Sequence, residues 1–446
     1  MKIGLLAMSG IRACDEELLR LGLTLPGFVE RSKTIASLPS LGLLTLAGMT
    51  PKEHKIEYIE IPNLKEIDEI PNGFDLVAIS SYSAQIDEAY ELGARYKEKG
   101  IPVVIGGPHV SCLPEEAIKY CDSVIIGEGE LVWNQVLKDC EKGELKQNYG
   151  SLTGSFDLAD APMPAFELLD ISKYNRLTVQ TSRGCPHKCE FCASSVILTS
   201  KYKQKPIYKV IKEIDKILDI WKYPFIEFAD DNSIVDKAYW KELLVKLKDK
   251  NIKWFTETDL SVSEDEELLD LMRESGCAQV LIGFESPVLT GLKGLETRSD
   301  WKFKRLSKYK DAIKIIQSHG ITVNGCFVIG LDGHGPEIFD QIFDFVKESG
   351  LYEVQITIMT AFPGTPLYAR LKKENRIIED KEWRKCTLFD LNFKPNNMTA
   401  DELTSGFRNL GVKLYSKEFT AWRRDNFKNN LRNNIREKRR VKNGDS

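Results

Sequence analysis

Three thiols fall within eight residues in the run Cys185-Pro-His-Lys-Cys189-Glu-Phe-Cys192, a C-x3-C-x2-C spacing. Thiolates this close together on one loop can wrap a single inorganic centre. A structural zinc ion normally takes four ligands, and an iron–sulfur cubane normally takes four thiolates. Only three are local here, because Cys140 and Cys277 lie about 45 and 85 residues away along the chain. Two chemistries fit such a set. One is zinc completed by His187 or by a distant residue; the other is a cubane with one iron left free of protein, open to a small molecule that binds through an amine and a carboxylate.

The run Gly184 to Cys192, with Phe191 ahead of the third cysteine, resembles the signature of radical S-adenosylmethionine (radical SAM) enzymes. The resemblance implies a [4Fe-4S] cluster held by Cys185, Cys189 and Cys192, with S-adenosylmethionine on the open iron and Phe191 beside it. It also implies one-electron cleavage of that ligand to methionine and a 5′-deoxyadenosyl radical, which removes hydrogen from an unactivated carbon. The protein's share of such chemistry is placement and the exclusion of water. Three further segments resemble the family's ligand contacts. Phe228-Ala-Asp-Asp-Asn232 is similar to the segment that receives the methionine amino group, with Asp230 and Asp231 as acceptors. Gly283-Phe-Glu-Ser286 is similar to the ribose and carboxylate segment, through Glu285 and Ser286, and Val328-Ile-Gly-Leu-Asp332 to the strand flanking adenine, through Ile329.

These segments fall where a β/α alternation would place them. From Tyr174 onward the pattern predicts strands at Arg176 to Ser182, Phe225 to Ala229, Lys253 to Thr258, Gln279 to Gly283, Thr322 to Ile329 and Glu353 to Thr360. Predicted helices at Pro206 to Trp221, Asp236 to Lys250, Glu264 to Ser275, Ser307 to His319 and Pro336 to Ser349 lie between or beside them. Six such units are too few to close an eight-stranded barrel, so a partial, open (β/α)6 barrel is expected.

Ahead of it, the first 140 residues alternate in the same way, with strands at Lys2 to Ala7, Lys55 to Ile61, Asp75 to Ser80, Ile101 to Gly106 and Ser123 to Ile126. Helical spacing at Ile86 to Lys99 and Leu131 to Cys140 completes a five-stranded, doubly wound, Rossmann-like domain. Ligands of such sheets bind beyond the carboxyl ends of the strands. The loops there include Gly106-Gly-Pro-His-Val110 and Gly127-Glu-Gly-Glu130, whose glycines fit either a ligand close to the backbone or tight turns.

A doubly wound domain before a radical SAM core resembles the cobalamin-binding radical SAM enzymes, and so do the segments Leu38 to Ala47, Ile79 to Ser83 and the two glycine loops. The resemblance implies cobalamin contacts at Ser9, Ser81, Tyr82, Ser83, Gly106, Gly107, His109, Gly127, Glu128 and Gly129. The D-x-H-x-x-G sequence that supplies a cobalt-ligating histidine in many cobalamin proteins is absent, so the implied state is base-off, without histidine on cobalt. The activity implied is methyl transfer from S-adenosylmethionine, through methylcobalamin, to an unactivated carbon. Cyclisation or rearrangement without methyl transfer is the alternative within the family, and a non-catalytic iron–sulfur sensor or scaffold the alternative outside it.

The expected division is 1–145 for the cobalamin domain, 146–173 for a linker, 174–375 for the partial barrel and 376–446 for a small, mostly helical extension with a basic tail. Thr399-Ala-Asp-Glu402 reads as a capping box, and the last residues as a solvated, partly frayed end. Trp383, Phe389 and Phe393 suit core packing better than a substrate cavity. Cys14, Cys112 and Cys121 read as plain small residues. With 62 Lys and Arg against 66 Asp and Glu, the net charge of −4 argues against a dedicated nucleic-acid binder. No apolar run reaches the roughly 20 residues of a membrane span, and ten cysteines in 446 residues are too sparse for a disulfide scaffold. A cytoplasmic enzyme is expected, acting on a small molecule or peptide and served by a one-electron donor such as flavodoxin or ferredoxin.

Overall fold

The computed structural model describes residues 1–21, 38–194 and 201–443. The described residues pack as two compact units. The first falls within Met1–Glu16, Arg31–Pro224 and Thr360–Phe393, the second within Glu17–Glu30, Phe225–Met359 and Lys394–Ser446.

The first unit is built on a parallel sheet. Its strands are β1 (Lys2–Met8), β2 (Lys55–Ile61), β3 (Leu76–Ser80), β4 (Val103–Gly106), β5 (Ser123–Ile126) and β6 (Asn148–Gly150), in the order β2-β1-β3-β4-β5-β6. Alternation along the strands explains why both faces are covered. Leu6, Met8, Val77, Ile79, Val103, Ile105 and Val124 enter one hydrophobic cluster. Ile3, Leu5, Ala7, Leu76, Ala78, Val104 and Ile125 enter the other. A period of two with both phases apolar is what a sheet buried on both sides requires. The sheet has six strands where five were expected, because β6 lies inside the stretch read as a linker.

Helix Ile86–Glu98 buries Ala89, Leu92, Gly93 and Tyr96 at helical spacing, with Asp87 and Glu88 in its first turn and Arg95 and Lys97 in its last. That charge order opposes the helix dipole at both ends. Helix Leu41–Met49 was not legible as a helix, since its apolar residues run all round it. Ser40 caps it by accepting from the Leu43 amide. A Cβ on Gly48 would come within 1.8 Å of the Met163 carbonyl oxygen, so glycine lets the nominal linker lie against this helix.

The same unit holds β7 (Leu177–Val179), the short antiparallel pair β8 (Ser182–Arg183) and β9 (Lys203–Gln204), and helix Ile207–Ile220. The strand expected over Arg176 to Ser182 is thus broken into two pieces around Gln180 and Thr181. Residues 360–393 also belong here. Trp383 and Cys386 sit in the same hydrophobic cluster as Leu6 and Ile105, and Phe389 and Phe393 are 1% and 0% exposed. These aromatics are core.

The second unit carries β10 (Phe225–Phe228), β11 (Lys253–Thr258), β12 (Cys277–Glu285), β13 (Thr322–Ile329) and β14 (Glu353–Ile358), parallel and in the order β14-β13-β12-β11-β10. Helices Lys237–Leu247 and Glu266–Glu274 begin at Asp236 and Asp265, whose side chains accept from Tyr239 and Leu268 amides. The expected capping box is present on helix Ala400–Tyr415, with Thr399 and Glu402 each bonded to the other's backbone. The basic end differs from expectation. It forms helix Lys417–Asn443, and Arg423 within it is fully buried, with Nη2 3.3 Å from Glu353 Oε1. A carboxylate buried at the start of β14 draws the guanidinium inward. No helix among the described residues is long and apolar enough to cross a membrane.

Candidate functional site

The cysteine loop leaves β8 through Gly184, whose φ of +86° is a left-handed turn that favours glycine. Cys185 and Cys192 are partly exposed and Cys189 is buried; none of the three is in a disulfide. The Cys192 amide donates to the Cys189 carbonyl at 3.1 Å, which folds the last four residues into a turn. Among the described residues no three His, Cys, Asp or Glu side chains gather tightly enough to hold a single metal ion. Three free thiols on one loop are a donor set that fits an iron–sulfur cluster.

The stem of this loop is tied to the loop after β5. Arg183 Nη1 donates to Glu128 Oε1 at 2.7 Å, Nη2 pairs with Glu130, and Nε donates to Gln180 Oε1 at 2.8 Å. Lys203 Nζ reaches both Glu128 oxygens at 2.7 and 2.8 Å, and the Phe156 amide donates to Glu128 at 2.6 Å. Burial by itself would raise the Glu128 carboxyl, but the hydrogen bonds from Lys203, Phe156 and Arg183 win and hold it below the usual range. Glu128, expected beside cobalamin, is therefore engaged with the cysteine-loop stem. Spacing along the chain gave no sign of the Arg183 and Lys203 contacts.

The other residues expected at cobalamin do lie beyond the carboxyl ends of β1, β3, β4 and β5, as the strand order requires. They differ in what they face. Tyr82 is 59% exposed, whereas Ser81, Ser83 and His109 are buried. Ser9, Gly106, Gly107, Gly127 and Gly129 are partly exposed. Gly107 has φ +116°, and a Cβ there would sit 2.6 Å from the Ser81 carbonyl oxygen; Gly127 has φ +79° and stands likewise against Ser151. Of the two uses open to these glycines, the structure displays close packing of chain on chain. The partly exposed edge with Tyr82 at its rim is where a planar ligand would find surface. His109 faces inward. Its Nδ1 is 3.0 Å from Ser83 Oγ, its Nε2 3.5 Å from Glu116, and its ring meets the Trp383 ring edge-on at 5.2 Å. Burial pushes it down to about 4 against the pull of Glu116, so it is neutral. The ring is committed to the interior by Ser83, Glu116 and Trp383.

In the second unit the expected S-adenosylmethionine segments share one edge, because their strands are parallel and in register. Phe228 pairs with Thr256, Glu257 with Leu281, Glu285 with Phe327 and Val328 with Thr357. Asp230 is buried and Asp231 partly exposed after β10. Glu285 takes φ +62° at a bulge that ends β12 and pairs with Lys302. Ser286 Oγ is 2.9 Å from His334 Nε2, both residues being buried. Ile329 ends β13 and is fully buried, so its side chain is packing; the chain then turns at Gly330 with φ +92°.

Glu257 was missed. It lies on β11 with its side chain reached by solvent and four other carboxylates, Glu227, Asp230, Asp231 and Glu285, acting on it. Burial first, then Glu227, Asp231, Glu285 and Asp230, push its carboxyl up to about 8. A charged residue near the end of the strand Lys-Trp-Phe-Thr-Glu-Thr was the available signal.

Comparison with known proteins gives the class. Residues 179–346 match the Radical SAM superfamily, residues 33–137 the B12 binding domain and residues 365–445 a domain of unknown function, DUF4070. The chain thus combines a radical SAM domain with a B12-binding domain, and [4Fe-4S], S-adenosylmethionine and cobalamin are the cofactors of that pairing. More particularly, it is 28% identical over 382 residues to bacteriochlorophyllide d C-12(1)-methyltransferase of Chlorobaculum tepidum, covering 84% of this chain and 82% of the relative. It is 27% identical over 356 residues to hopanoid C-2 methylase of Rhodopseudomonas palustris, covering 77% and 66%. The radical S-adenosylmethionine methyltransferase TsrM of Kitasatospora setae, solved with cobalamin and a [4Fe-4S] cluster, superposes with a TM-score of 0.66 at 14% identity, over 94% of this chain and 89% of that one. At that identity the likeness establishes the fold.

Proposed function

We propose that the protein is a cobalamin-dependent methyltransferase that moves a methyl group from S-adenosylmethionine to an unactivated carbon. The observation that carries this reading is a loop of three reduced thiols in a chain that also folds a B12-binding sheet. When bound, the cluster and cobalamin supply electron transfer and a methyl carrier. The chain's own residues supply the rest. Cys185, Cys189 and Cys192 hold the cluster. Phe191, Asp230, Asp231, Glu285 and Ser286 bind and orient S-adenosylmethionine, with the packed Ile329 fixing the end of β13. The edge of the first sheet near Ser9, Tyr82, Gly106 and Gly129 receives cobalamin. A one-electron donor of the flavodoxin or ferredoxin kind completes the system, acting on a small-molecule or peptide substrate, and ten cysteines held as thiols suit the reducing cytoplasm.

The test is anaerobic reconstitution with iron, sulfide and cobalamin. The wild-type chain should bind about four irons and four sulfides, retain cobalamin, and form 5′-deoxyadenosine from S-adenosylmethionine under a strong reductant. Cys189→Ala should lose most of the iron and all of the 5′-deoxyadenosine. Stoichiometric zinc in the loop, or cleavage undiminished in Cys189→Ala, would sink the reading.

A further inference from the structure

Glu190 lies between the second and third cysteines of the loop, and it is held twice by one helix. Its backbone carbonyl accepts from the Leu367 amide at 3.1 Å. Its carboxylate accepts from Arg370 Nε at 3.0 and 3.3 Å, and Arg370 Nη2 also contacts it. All of these residues belong to the first unit.

The helix Pro366–Lys373 is well placed to act as a brace. An α-helix leaves its first amides without intrahelical partners. Here Pro366 has no amide hydrogen, Tyr368 donates to the Thr365 hydroxyl, and Leu367 donates to Glu190. The cysteine loop thus serves as part of the helix cap. The helix cannot swing, because Leu367 and Leu371 are fully buried and Tyr368 packs on the cluster that contains Trp383. The guanidinium meets the carboxylate through two of its nitrogens, which fixes direction as well as distance.

We infer that Arg370 is a positioning residue for the cluster, holding the Cys189-Glu-Phe-Cys192 turn so that its sulfurs are presented in one geometry. The domain of unknown function begins at residue 365, and on this reading its first helix steadies the cysteine loop. The inference rests on the proposed identity of that loop. It also accounts for a glutamate, otherwise an unhelpful negative charge beside a thiolate cluster, between two ligands.

The experiment uses the full chain, reconstituted anaerobically, and reads iron loss to an iron(II) chelator together with the electron paramagnetic resonance spectrum of the reduced cluster. Partners that orient metal ligands typically carry a tenfold to hundredfold effect, so Arg370→Gln should lose iron roughly tenfold or more faster than wild type. Its spectrum should broaden, reporting more than one cluster geometry. Arg370→Lys should fall between the two, since it keeps the charge and loses the fork. The charge exchange Glu190→Arg with Arg370→Glu should recover much of the wild-type behaviour, which separates the contact from general damage if Arg370→Gln folds poorly. Iron loss and spectrum unchanged in Arg370→Gln would overturn the inference while leaving the proposed function intact. A wild-type chain that takes up no cluster would overturn both.

Discussion

Desolvation by the protein around it, followed by the negative charges of Glu227, Asp231, Glu285 and Asp230, pushes the Glu257 carboxyl up to about 8. The sign of its contribution follows. A carboxyl raised in the folded state is ionised more readily in the unfolded chain, so its destabilising effect begins as pH rises past the ordinary value of 4.5 and is complete above about 8. Glu257→Gln should therefore melt higher than the wild-type apoprotein at pH 9, with the gap closing towards pH 4. Equal melting temperatures at pH 9 would show that the carboxyl ionises without cost. His109 acts through the opposite charge. Its neutral form is favoured by burial, so stability is lost as pH falls from 6.5 towards about 4, where the buried ring must take a proton. In His109→Gln the melting curve should be flatter over that interval, as scanning calorimetry would register.

The loop after β5 and the pair β8 and β9 are joined through Glu128, a contact between residues 128, 183 and 203. Since the carboxyl is held below its usual value of 4.5, its stabilisation is present above that pH and fades as pH falls through the lowered value. Glu128→Gln should lower the melting temperature at pH 7, with the difference from wild type shrinking as pH falls below 4.5, and an offset independent of pH would contradict the ion-pair account. Elements of this kind mark where reading the sequence stops. The strands β2, β5, β11 and β13 were legible to the residue, because short runs rich in β-branched and aromatic residues, alternating with polar ones in β2, leave little choice between turn signals. β6 offers one apolar residue in Asn-Tyr-Gly, and β8 and β9 are two residues each, too short for any period. The cysteines announced themselves by spacing. Arg183, Lys203, His334 and Arg370 did not, since each acquires its meaning from a partner far along the chain.

At the scale of the whole chain, the linear division into four parts is not how the residues pack. The segment 360–393 joins the first unit, and the C-terminal helix joins the second through Arg423. Removing one partner of a buried ion pair costs about 3–5 kcal/mol, whereas replacing both by apolar groups of similar volume can be neutral. Arg423→Ala should thus destabilise the second unit by about that amount in urea unfolding. The double variant Arg423→Met with Glu353→Leu should recover most of it, and a harmless Arg423→Ala would mean that the basic helix is peripheral.

One face of the first sheet has an order of assembly written into it. Leu6, Ile79 and Ile105 share their hydrophobic cluster with Trp383 and Cys386. On a ribosome those strands emerge long before the indole that closes over them, and the intervening chain takes tens of seconds to make at common elongation rates. For that interval the nascent sheet shows greasy surface on the side where Tyr90 and His109 await Trp383. A chaperone has a ready target there, and a chain cut short before residue 383 would carry the same bare patch for good.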